Sequence, residues 1–327
     1  MSGPSWGVSL PLGSAVGETA RLAEQLDFDY VTVGEHLAFH GPSANGFVSL
    51  AAAAGATSTI GLLSSVTLLP LYPAMLAKLV ASLDDVSGGR FTLGVGIGGE
   101  NEGEFDAVGV SKRERGARTD EAIVVLRRLL AETDVHLDGS FTKLSGLTIS
   151  PRPQHRLPVW VAGRSRAAMR RAANLGDGWM PYLYTPERLA ESLEQIRAHA
   201  TEAGSPPWQG RVAVHLFTTL DPDPVRARRT AVQHVGETYR QDFEHLADHY
   251  LLHGDAAACV RRVEEYLEAG ADTVVLRLAS APGETTTMMR RIAEEVVAPL
   301  RTTGHGIQKA RSMSTEPDRR SGVPSSR

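Results

Sequence analysis

Short apolar runs alternate with amphipathic runs along most of the chain, and this alternation limits the possible fold more than any other feature of the sequence. Each apolar run has the length and the β-branched content of a buried strand, and each is followed by a segment with the apolar period of a helix. Eight strands are expected, at residues 6–10, 30–34, 60–69, 90–96, 157–163, 178–183, 211–220 and 272–279. Eight strand–helix units in about 300 residues predict an α/β fold of the (β/α)8 TIM-barrel type, because a doubly wound sheet more typically has six strands and often a second domain.

Three segments add detail to this plan. Between the fourth and fifth strands, residues 135–154 carry Asp138-Gly139 between two short β-like runs, which predicts a hairpin insertion. One long helical region is expected over residues 223–250. Residues 304–327 are polar and lack an apolar period, so we expect one barrel domain over residues 1–303 and a disordered C-terminal tail over residues 304–327.

The composition argues against several classes of partner. A net charge of −4 gives no electrostatic basis for binding nucleic acid. No run of about 18 apolar residues predicts a membrane span, and no cluster of Cys and His suggests a metal site. The single cysteine, Cys259, lies on a helical pattern and is expected to pack in the core rather than to act as a nucleophile. Such a chain is expected in the reducing cytoplasm.

The stretch LGVGIGGENE, residues 93–102, has the G-x-G-x-x-G spacing of a dinucleotide-binding loop. Such a loop opens directly into a helix whose N-terminus faces a pyrophosphate, and a helix opening at Gly99 would support that interpretation. Here acidic residues follow instead, and the next long helical pattern starts well after them. In a barrel, Gly94, Gly96 and Gly98 end the fourth strand. They either leave room for a flat ligand at the mouth or serve packing alone.

In barrels of this type the catalytic side chains lie at the C-terminal ends of the strands. The second strand ends in Glu35-His36, and a histidine there can donate or accept a proton near neutral pH. A purely structural histidine is the alternative. The third strand contains Ser64-Ser65 in an apolar setting, where a hydroxyl needs a partner, and a ligand is one candidate. We take His36 and Glu35 as the candidate catalytic residues.

Two further strand ends carry positive charge. The fifth strand ends in Gly163-Arg164-Ser165 directly before a helix, so backbone N–H groups, a hydroxyl and a guanidinium are available to an anion such as phosphate. The alternative is that Ser165 only caps the helix. Arg277 lies inside the eighth strand and has to reach the barrel mouth or find a partner there. We expect it to hold an anionic part of the substrate or cofactor.

Four stretches of the sequence together resemble the luciferase-like oxidoreductase superfamily, which includes bacterial luciferase and enzymes that use the deazaflavin coenzyme F420. The resemblance extends from about residue 6 to residue 300, and its most specific part spans the third and fourth strands. The stretches are DYVTVGEHLAFHGP (29–42), the block from SSVTLLPLYP to EFDAVGV (64–110), RGARTDEAI (115–123) and PVWVAGRSRAAMRRAANLGDGWMP (158–181).

This resemblance implies a (β/α)8 barrel with a flavin or deazaflavin ring in its mouth. By position, it implies that Ser65-Val66 forms a non-prolyl cis peptide bond that backs the ring, and that His36 lies beside the reacting ring atom. It implies that Gly163, Arg164 and Ser165 receive the cofactor phosphate. The acidic loop from Glu100 to Glu104 is then expected to border the substrate.

Coenzyme F420 is the favoured cofactor and FMN the alternative, because the fourth-strand block and the Glu-His pair resemble members described as F420-dependent. With F420, a hydride passes to or from a small organic substrate while His36 acts as acid or base. With FMN, a separate reductase supplies the reduced cofactor and oxygen takes part. A non-catalytic flavin-binding barrel is disfavoured by the eight strands. The resemblance also implies a homodimer.

Aromatic residues near the strand ends are the remaining candidates for the substrate pocket. Phe39, Trp179, Tyr182 and Tyr184 lie there, and each either lines the pocket or packs in the core. We take Glu100, Tyr182 and Arg277 as the candidate substrate residues, although the sequence does not identify the substrate.

Overall fold

Parallel strands hydrogen-bond to one another in a closed ring in the computed structural model, which describes residues 3–68, 73–99, 101–204, 206–281 and 283–301. The strands in chain order are β1 (Ser5–Ser9), β2 (Tyr30–Val33), β3 (Gly61–Ser64), β4 (Thr67–Leu68), β5 (Phe91–Gly96), β6 (Val135–Asp138), β7 (Lys143–Leu147), β8 (Val159–Ala162), β9 (Gly178–Met180), β10 (Arg211–Leu220), β11 (Leu252–Gly254) and β12 (Thr273–Leu278). The ring runs β1, β2, β3 with β4, β5, β8, β9, β10 and β12, and β12 pairs again with β1. The predicted eight-stranded barrel is therefore confirmed.

Helices connect these strands and cover the outside of the barrel. They are α1 (Val16–Gln25), α2 (Gly46–Ala56), α3 (Pro73–Ser87), α4 (Glu102–Asp106), α5 (Arg115–Ala131), α6 (Arg166–Leu175), α7 (Pro186–Glu202), α8 (Pro224–Tyr239), α9 (Ala247–Tyr250), α10 (Ala256–Glu268) and α11 (Thr285–Ile292), which continues as a π-helical turn over Ala293–Val297. Short 3₁₀ turns lie at Gly13–Ala15 and Lys112–Glu114. Several helices begin where a side-chain oxygen accepts from a backbone N–H of the first turn, as Thr185 does for α7 and Asp255 for α10.

The predicted hairpin insertion is present as the antiparallel pair β6–β7. Asp138 pairs with Lys143, so four residues form the loop. The backbone N–H groups of Ser140, Phe141 and Thr142 donate to the carboxylate of Glu121 on α5. That carboxylate anchors the hairpin to the barrel.

One predicted element is wrong, and two predictions concern residues outside the described ranges. The single helix expected over 223–250 is wrong: α8 ends at Tyr239, Arg240 takes a left-handed conformation with φ 52°, and the chain continues through α9 into β11. This extra strand pairs with the end of β10, outside the ring. The expected tail over 304–327 and the domain boundary at 303 lie outside the described residues and stay predictions.

The barrel interior is filled in layers because alternate residues of each strand point inward. Its central apolar cluster consists of Leu63, Trp160, Ala162, Met180, Ala213 and Val275. The next inward positions toward the C-terminal ends of β9, β10 and β12 are Tyr182, His215 and Arg277, two residues beyond members of that cluster. Thus the apolar core gives way to polar side chains at the mouth, which is where the sequence placed the candidate site.

Candidate active site

A bulge interrupts the third barrel strand between β3 and β4. The peptide bond between Ser65 and Val66 is cis, as the resemblance implied. Ser64 Oγ accepts from the backbone N–H of Gly94 at 2.9 Å and donates to the carbonyl of the same residue at 3.1 Å, so it bridges the gap in the ladder. The backbone N–H of Ser65 donates to the Val33 carbonyl at 2.8 Å. Ser64 is therefore a structural bridge, and Ser65-Val66 form the half-buried turn of the bulge.

The glycines around this bulge are needed for close approach of the backbone. A Cβ at Gly94 would lie 2.0 Å from the Ser64 carbonyl oxygen, and one at Gly34 would lie 2.9 Å from the Ser65 carbonyl oxygen. A Cβ at Gly96 would lie 2.6 Å from a methyl carbon of Val66. The dinucleotide-loop interpretation is wrong, because these glycines belong to a closed barrel. Their packing role is direct, and contact with a flat ligand remains a proposal.

A histidine–carboxylate pair lies beside the bulge. His36 Nδ1 is 3.2 and 3.3 Å from the two carboxylate oxygens of Glu104, whose side chain is 1% exposed. The backbone N–H of Ala38 also donates to this carboxylate, at 3.1 Å. Phe39 stacks on the His36 ring with centroids 4.2 Å apart. The Glu104 carboxylate therefore fixes the ring through Nδ1 and leaves Nε2 as the nitrogen for a substrate.

The contact of Glu104 with His36 is a feature that the sequence did not predict. Glu104 was expected to border the substrate in an acidic loop, but the loop contains the short helix α4, and Asn101 caps it by accepting from Gly103 N–H. The sequence did carry a signal, because Asn at an N-cap followed three residues later by Glu is a helix-start pattern. The neighbouring candidate Glu100 lies outside the described residues, so its role stays a prediction.

The Glu35 carboxylate has a different hydrogen-bond partner from that of His36. Its carboxylate accepts from Asn45 Nδ2 at 2.7 Å, and Asn45 caps α2. The structure therefore does not bring Glu35 into the His36 pair, and a catalytic role for it stays a prediction.

Gly98 has φ +87°, and a Cβ there would lie 2.5 Å from the Phe105 ring, so this glycine supports the turn that leads to α4.

The end of β8 combines a helix N-terminus with a cation. Ser165 Oγ accepts from the Ala168 N–H at 3.2 Å and caps α6. The Arg164 guanidinium lies 4.9 Å from the centre of the Tyr182 ring and donates to the Leu183 carbonyl at 3.4 Å. Arg164 and Ser165 are both exposed. A cap and an anion site use the same first-turn geometry, so both interpretations of Ser165 remain compatible with the structure.

The neighbouring wall of the mouth, formed by β10 and β12, carries Arg277 and His215. The Arg277 guanidinium lies 4.9 Å from the centre of the Phe217 ring, and burial lowers its pKa. Among the described residues no carboxylate forms an ion pair with it. The Nε2 atom of His215 is buried without a hydrogen-bond partner in the same part of the chain. Burial and, second, the charge of Arg277 lower the pKa of His215 to about 3, so this ring is neutral near pH 7.

The aromatic candidates divide into two groups. Trp179 is fully buried, with Tyr184 edge-on to it at 5.6 Å, and the Tyr184 hydroxyl hydrogen-bonds Ser192 Oγ at 2.8 Å. Both therefore pack in the core. Phe39 and Tyr182 lie at the mouth, on His36 and under Arg164 respectively.

Cys259 is buried and burial raises its pKa to about 12, which fits the predicted packing role.

Two kinds of feature are absent from the described ranges. No group of three or more His, Cys, Asp and Glu side chains there is placed to hold a metal ion. No helix there is both long and apolar enough to cross a membrane.

Comparison with known proteins identifies the family. The family model for luciferase-like monooxygenases matches residues 11–298, nearly the whole described barrel. The chain belongs to the luciferase-like monooxygenase family. This chain is thus an oxidoreductase of the luciferase-like superfamily, as the resemblance implied.

Individual members of this luciferase-like family are similar over most of the chain. An F420-dependent glucose-6-phosphate dehydrogenase from Beutenbergia cavernae is 28% identical, over 86% of this chain and 91% of that protein. The crystal structure of the monooxygenase RslO1 from Streptomyces bottropensis is 27% identical with a TM-score of 0.79, covering 90% of this chain and 99% of that chain. An F420-dependent secondary alcohol dehydrogenase in complex with an F420–acetone adduct has a TM-score of 0.78 at 22% identity, with 90% and 99% coverage, and supports the fold.

Proposed function

We propose that this chain transfers a hydride between coenzyme F420 and a small organic substrate, with His36 exchanging the substrate proton. The observation that carries the proposal is the His36–Glu104 pair at the barrel mouth, next to the Ser65-Val66 bulge. A buried carboxylate that fixes one ring nitrogen leaves the other positioned as an acid or base. The similarity to the dehydrogenase from Beutenbergia cavernae supports F420 as the cofactor.

The residues at the mouth fit a flat, phosphate-bearing cofactor. Gly94 and Gly96 have no side chain, and the cis bulge beside them presents a backbone surface against which a planar ring can lie. The N-terminus of α6, with Arg164 and Ser165 exposed, offers N–H groups and positive charge to a phosphate. When bound, coenzyme F420 accepts or donates a hydride at C5 of its deazaflavin ring.

His36 then performs the proton step of either direction. With Nδ1–H donating to the Glu104 carboxylate, the neutral ring has a lone pair on Nε2 that accepts a proton from a substrate O–H or N–H during oxidation. In the reverse direction the protonated ring donates from Nε2 to the product. The Glu104 carboxylate holds the ring in place at Nδ1, and Phe39 covers one of its faces.

A two-component monooxygenase that uses reduced FMN is the second candidate. The 27% identity to the monooxygenase RslO1 over nearly its whole length favours it. This alternative needs a separate reductase and a site that binds reduced FMN. It does not explain the His36–Glu104 pair as well, because the hydride mechanism requires a proton acceptor and donor at the position of His36.

Binding of the two cofactors is the decisive test. Purified protein is titrated with F420 and with FMN, each oxidised and reduced, and fluorescence is followed. We expect tight binding of F420 and weak binding of FMN. Hydride transfer is then measured anaerobically with alcohols, amines and reducible C=C and C=N compounds. Tight binding of reduced FMN alone, with oxygen uptake in the presence of a reductase, would overturn the proposal in favour of the monooxygenase.

We also propose that the chain forms a homodimer in the cytoplasm. The exposed apolar side chains of Val48 on α2 and of Met75, Leu79 and Val86 on α3 support the dimer, because these helices pack together and a second copy would cover the patch. The single reduced cysteine supports the cytoplasm. Sedimentation of the wild type and of the Met75→Glu variant tests the dimer: the variant should sediment as a monomer. A wild-type monomer would overturn this part.

A further inference from the structure

The wall of the mouth formed by β10 and β12 holds an inward-facing cation whose counter-ion is missing from the described residues. Arg277 is half-buried and contacts the face of Phe217. A guanidinium that is withdrawn from water is normally paired with a carboxylate or another anion. The face of an aromatic ring compensates only part of the lost hydration. The arrangement is therefore incomplete without an anion.

In the described part of the chain, the surroundings of Arg277 add positive charge and hydrogen-bonding atoms, but no carboxylate that forms an ion pair with it. From β10, His215 faces it with a buried Nε2 that lacks a partner. From α8, His234 and Tyr239 interact with it electrostatically. Burial and, second, this cation lower the pKa of His234, whereas burial raises the pKa of Tyr239 against the opposing effect of the cation. From the end of β8, Arg164 also acts on Tyr239. An anion that binds at this wall meets the guanidiniums of Arg277 and Arg164 and the unpartnered Nε2 of His215.

A continuous aromatic path separates this wall from the catalytic histidine. Phe39 stacks on His36 and lies edge-on to Tyr239 with centroids 5.8 Å apart. Tyr239 lies 5.9 Å from Phe217, which in turn lies under Arg277. A molecule that reacts beside His36 and reaches Arg277 therefore spans the mouth, with its anionic group at the end opposite the reacting carbon.

We propose that Arg277 and His215 form a subsite for a negatively charged oxygen group of the substrate, a carboxylate or a phosphate ester. The guanidinium binds two oxygens in its planar fork, and the neutral His215 donates from Nε2 to a third contact. That the anion belongs to a substrate rests on the proposed function above, whereas the binding of an oxyanion does not. Small neutral alcohols and ketones lack this group and would be poor substrates.

Thermal unfolding of the cofactor-free protein tests oxyanion binding directly. The wild type is heated with inorganic phosphate, with acetate, or with chloride at equal ionic strength. We expect phosphate or acetate to raise Tm above the chloride value, and the more effective anion identifies the source of the oxygens. In Arg277→Met this rise should disappear, since affinity falls about tenfold or more when one hydrogen bond to a charged group is lost. Arg261→Met, which removes an exposed arginine of α10, should keep it.

Further variants separate the subsite from a structural role. Without an added anion, Arg277→Met should have a Tm equal to or above that of the wild type, because replacing an unpaired buried charge does not destabilise. Arg277→Lys should keep a weaker rise. No rise for the wild type, or an undiminished rise in Arg277→Met, would overturn the proposal, as would a large loss of Tm in Arg277→Met without anion.

The same variants are then titrated with F420. Equal F420 affinity in the wild type and Arg277→Met is expected, because the subsite belongs to the substrate. A clear loss would assign the oxyanion site to the cofactor and overturn this proposal. If the wild type binds no F420, the proposed function fails, while the phosphate and acetate results still decide whether the oxyanion site exists.

Discussion

The two sides of the barrel mouth are built from opposite kinds of residue. On the glycine side, formed by Gly34, Gly94, Gly96 and the Ser65-Val66 bulge, backbone packs on backbone and nearly every Cβ is excluded. On the arginine side, formed by Arg164, Tyr182, His215 and Arg277, long polar side chains fill the space. The first is suited to a flat ring, which is recognised by shape, and the second to a charged group, which is recognised by electrostatics.

The two sides also come from different parts of the chain. The glycine side and the His36–Glu104 pair lie within residues 34–104, which include one of the most specific parts of the resemblance. His215 and Arg277 lie beyond the last of the resembling stretches, whereas Arg164 lies within it. The proposed redox site and the proposed oxyanion subsite therefore come from different parts of the chain.

The largest effect is expected at the edge of the glycine side. His36→Ala removes the proposed acid and base, so turnover with F420 and substrate should fall about 10²- to 10⁴-fold while the F420 dissociation constant changes little. Glu104→Gln should cost less, since the ring loses the carboxylate that orients it but keeps both nitrogens. Glu194→Gln changes an exposed carboxylate of α7, is the control, and should resemble the wild type. A loss in Glu194→Gln as great as that in Glu104→Gln would contradict the assignment of the pair.

The next effect concerns the packing of the glycine side. Gly94→Ala places a methyl group against the Ser64 carbonyl, and we expect the free energy of unfolding to fall by about 1–3 kcal/mol or more. Gly55→Ala is the control, because Gly55 lies within α2 with nothing within 4 Å of its Cβ position. That control should gain roughly 0.5–1 kcal/mol. Urea denaturation measures both, and equal stabilities would show that the bulge does not need the glycine.

A pH effect is expected on the arginine side. The pKa of His215 is about 3 in the folded chain, below the ordinary value of 6.5. Between these values the unfolded chain binds a proton that the folded chain excludes, so stability falls by about 1.4 kcal/mol per unit as the pH drops. His215→Asn should remove this contribution and lose less stability between pH 6 and pH 5. His245→Asn changes an exposed histidine and should follow the wild type; parallel curves for all three proteins would contradict the assignment.

The smallest effect separates a helix cap from a phosphate site. Ser165→Ala and Thr185→Ala each remove the N-cap of one helix, α6 and α7, and each should cost about 1 kcal/mol in urea denaturation. Only Ser165→Ala should also weaken F420 binding, because α7 is not proposed to face the cofactor. Equal F420 affinity in the two variants would restrict Ser165 to its role as a cap.

The sequence alone predicted some elements of the fold correctly and one helix wrongly. The alternation of apolar strands with helices predicted the barrel, because a 2-residue and a 3.6-residue period are properties of single segments. The cis bond at Ser65-Val66 came from the resemblance and is confirmed. The long helix over 223–250 was wrong, because its break at Arg240 and the pairing of β11 with β10 depend on a partner strand that no local pattern contains.

The sequence by itself determined the order of strands and helices, the barrel, and the candidate residues at the strand ends. Only the tertiary structure decided which of them meet. Glu104 reaches His36 across 68 positions, Gly94 is required by a carbonyl 30 residues earlier, and Arg277 has aromatic neighbours but no carboxylate among the described residues. The physical reason is that such contacts are set by strand register and barrel closure, which bring distant segments to the same end of the barrel and leave no trace in local periodicity.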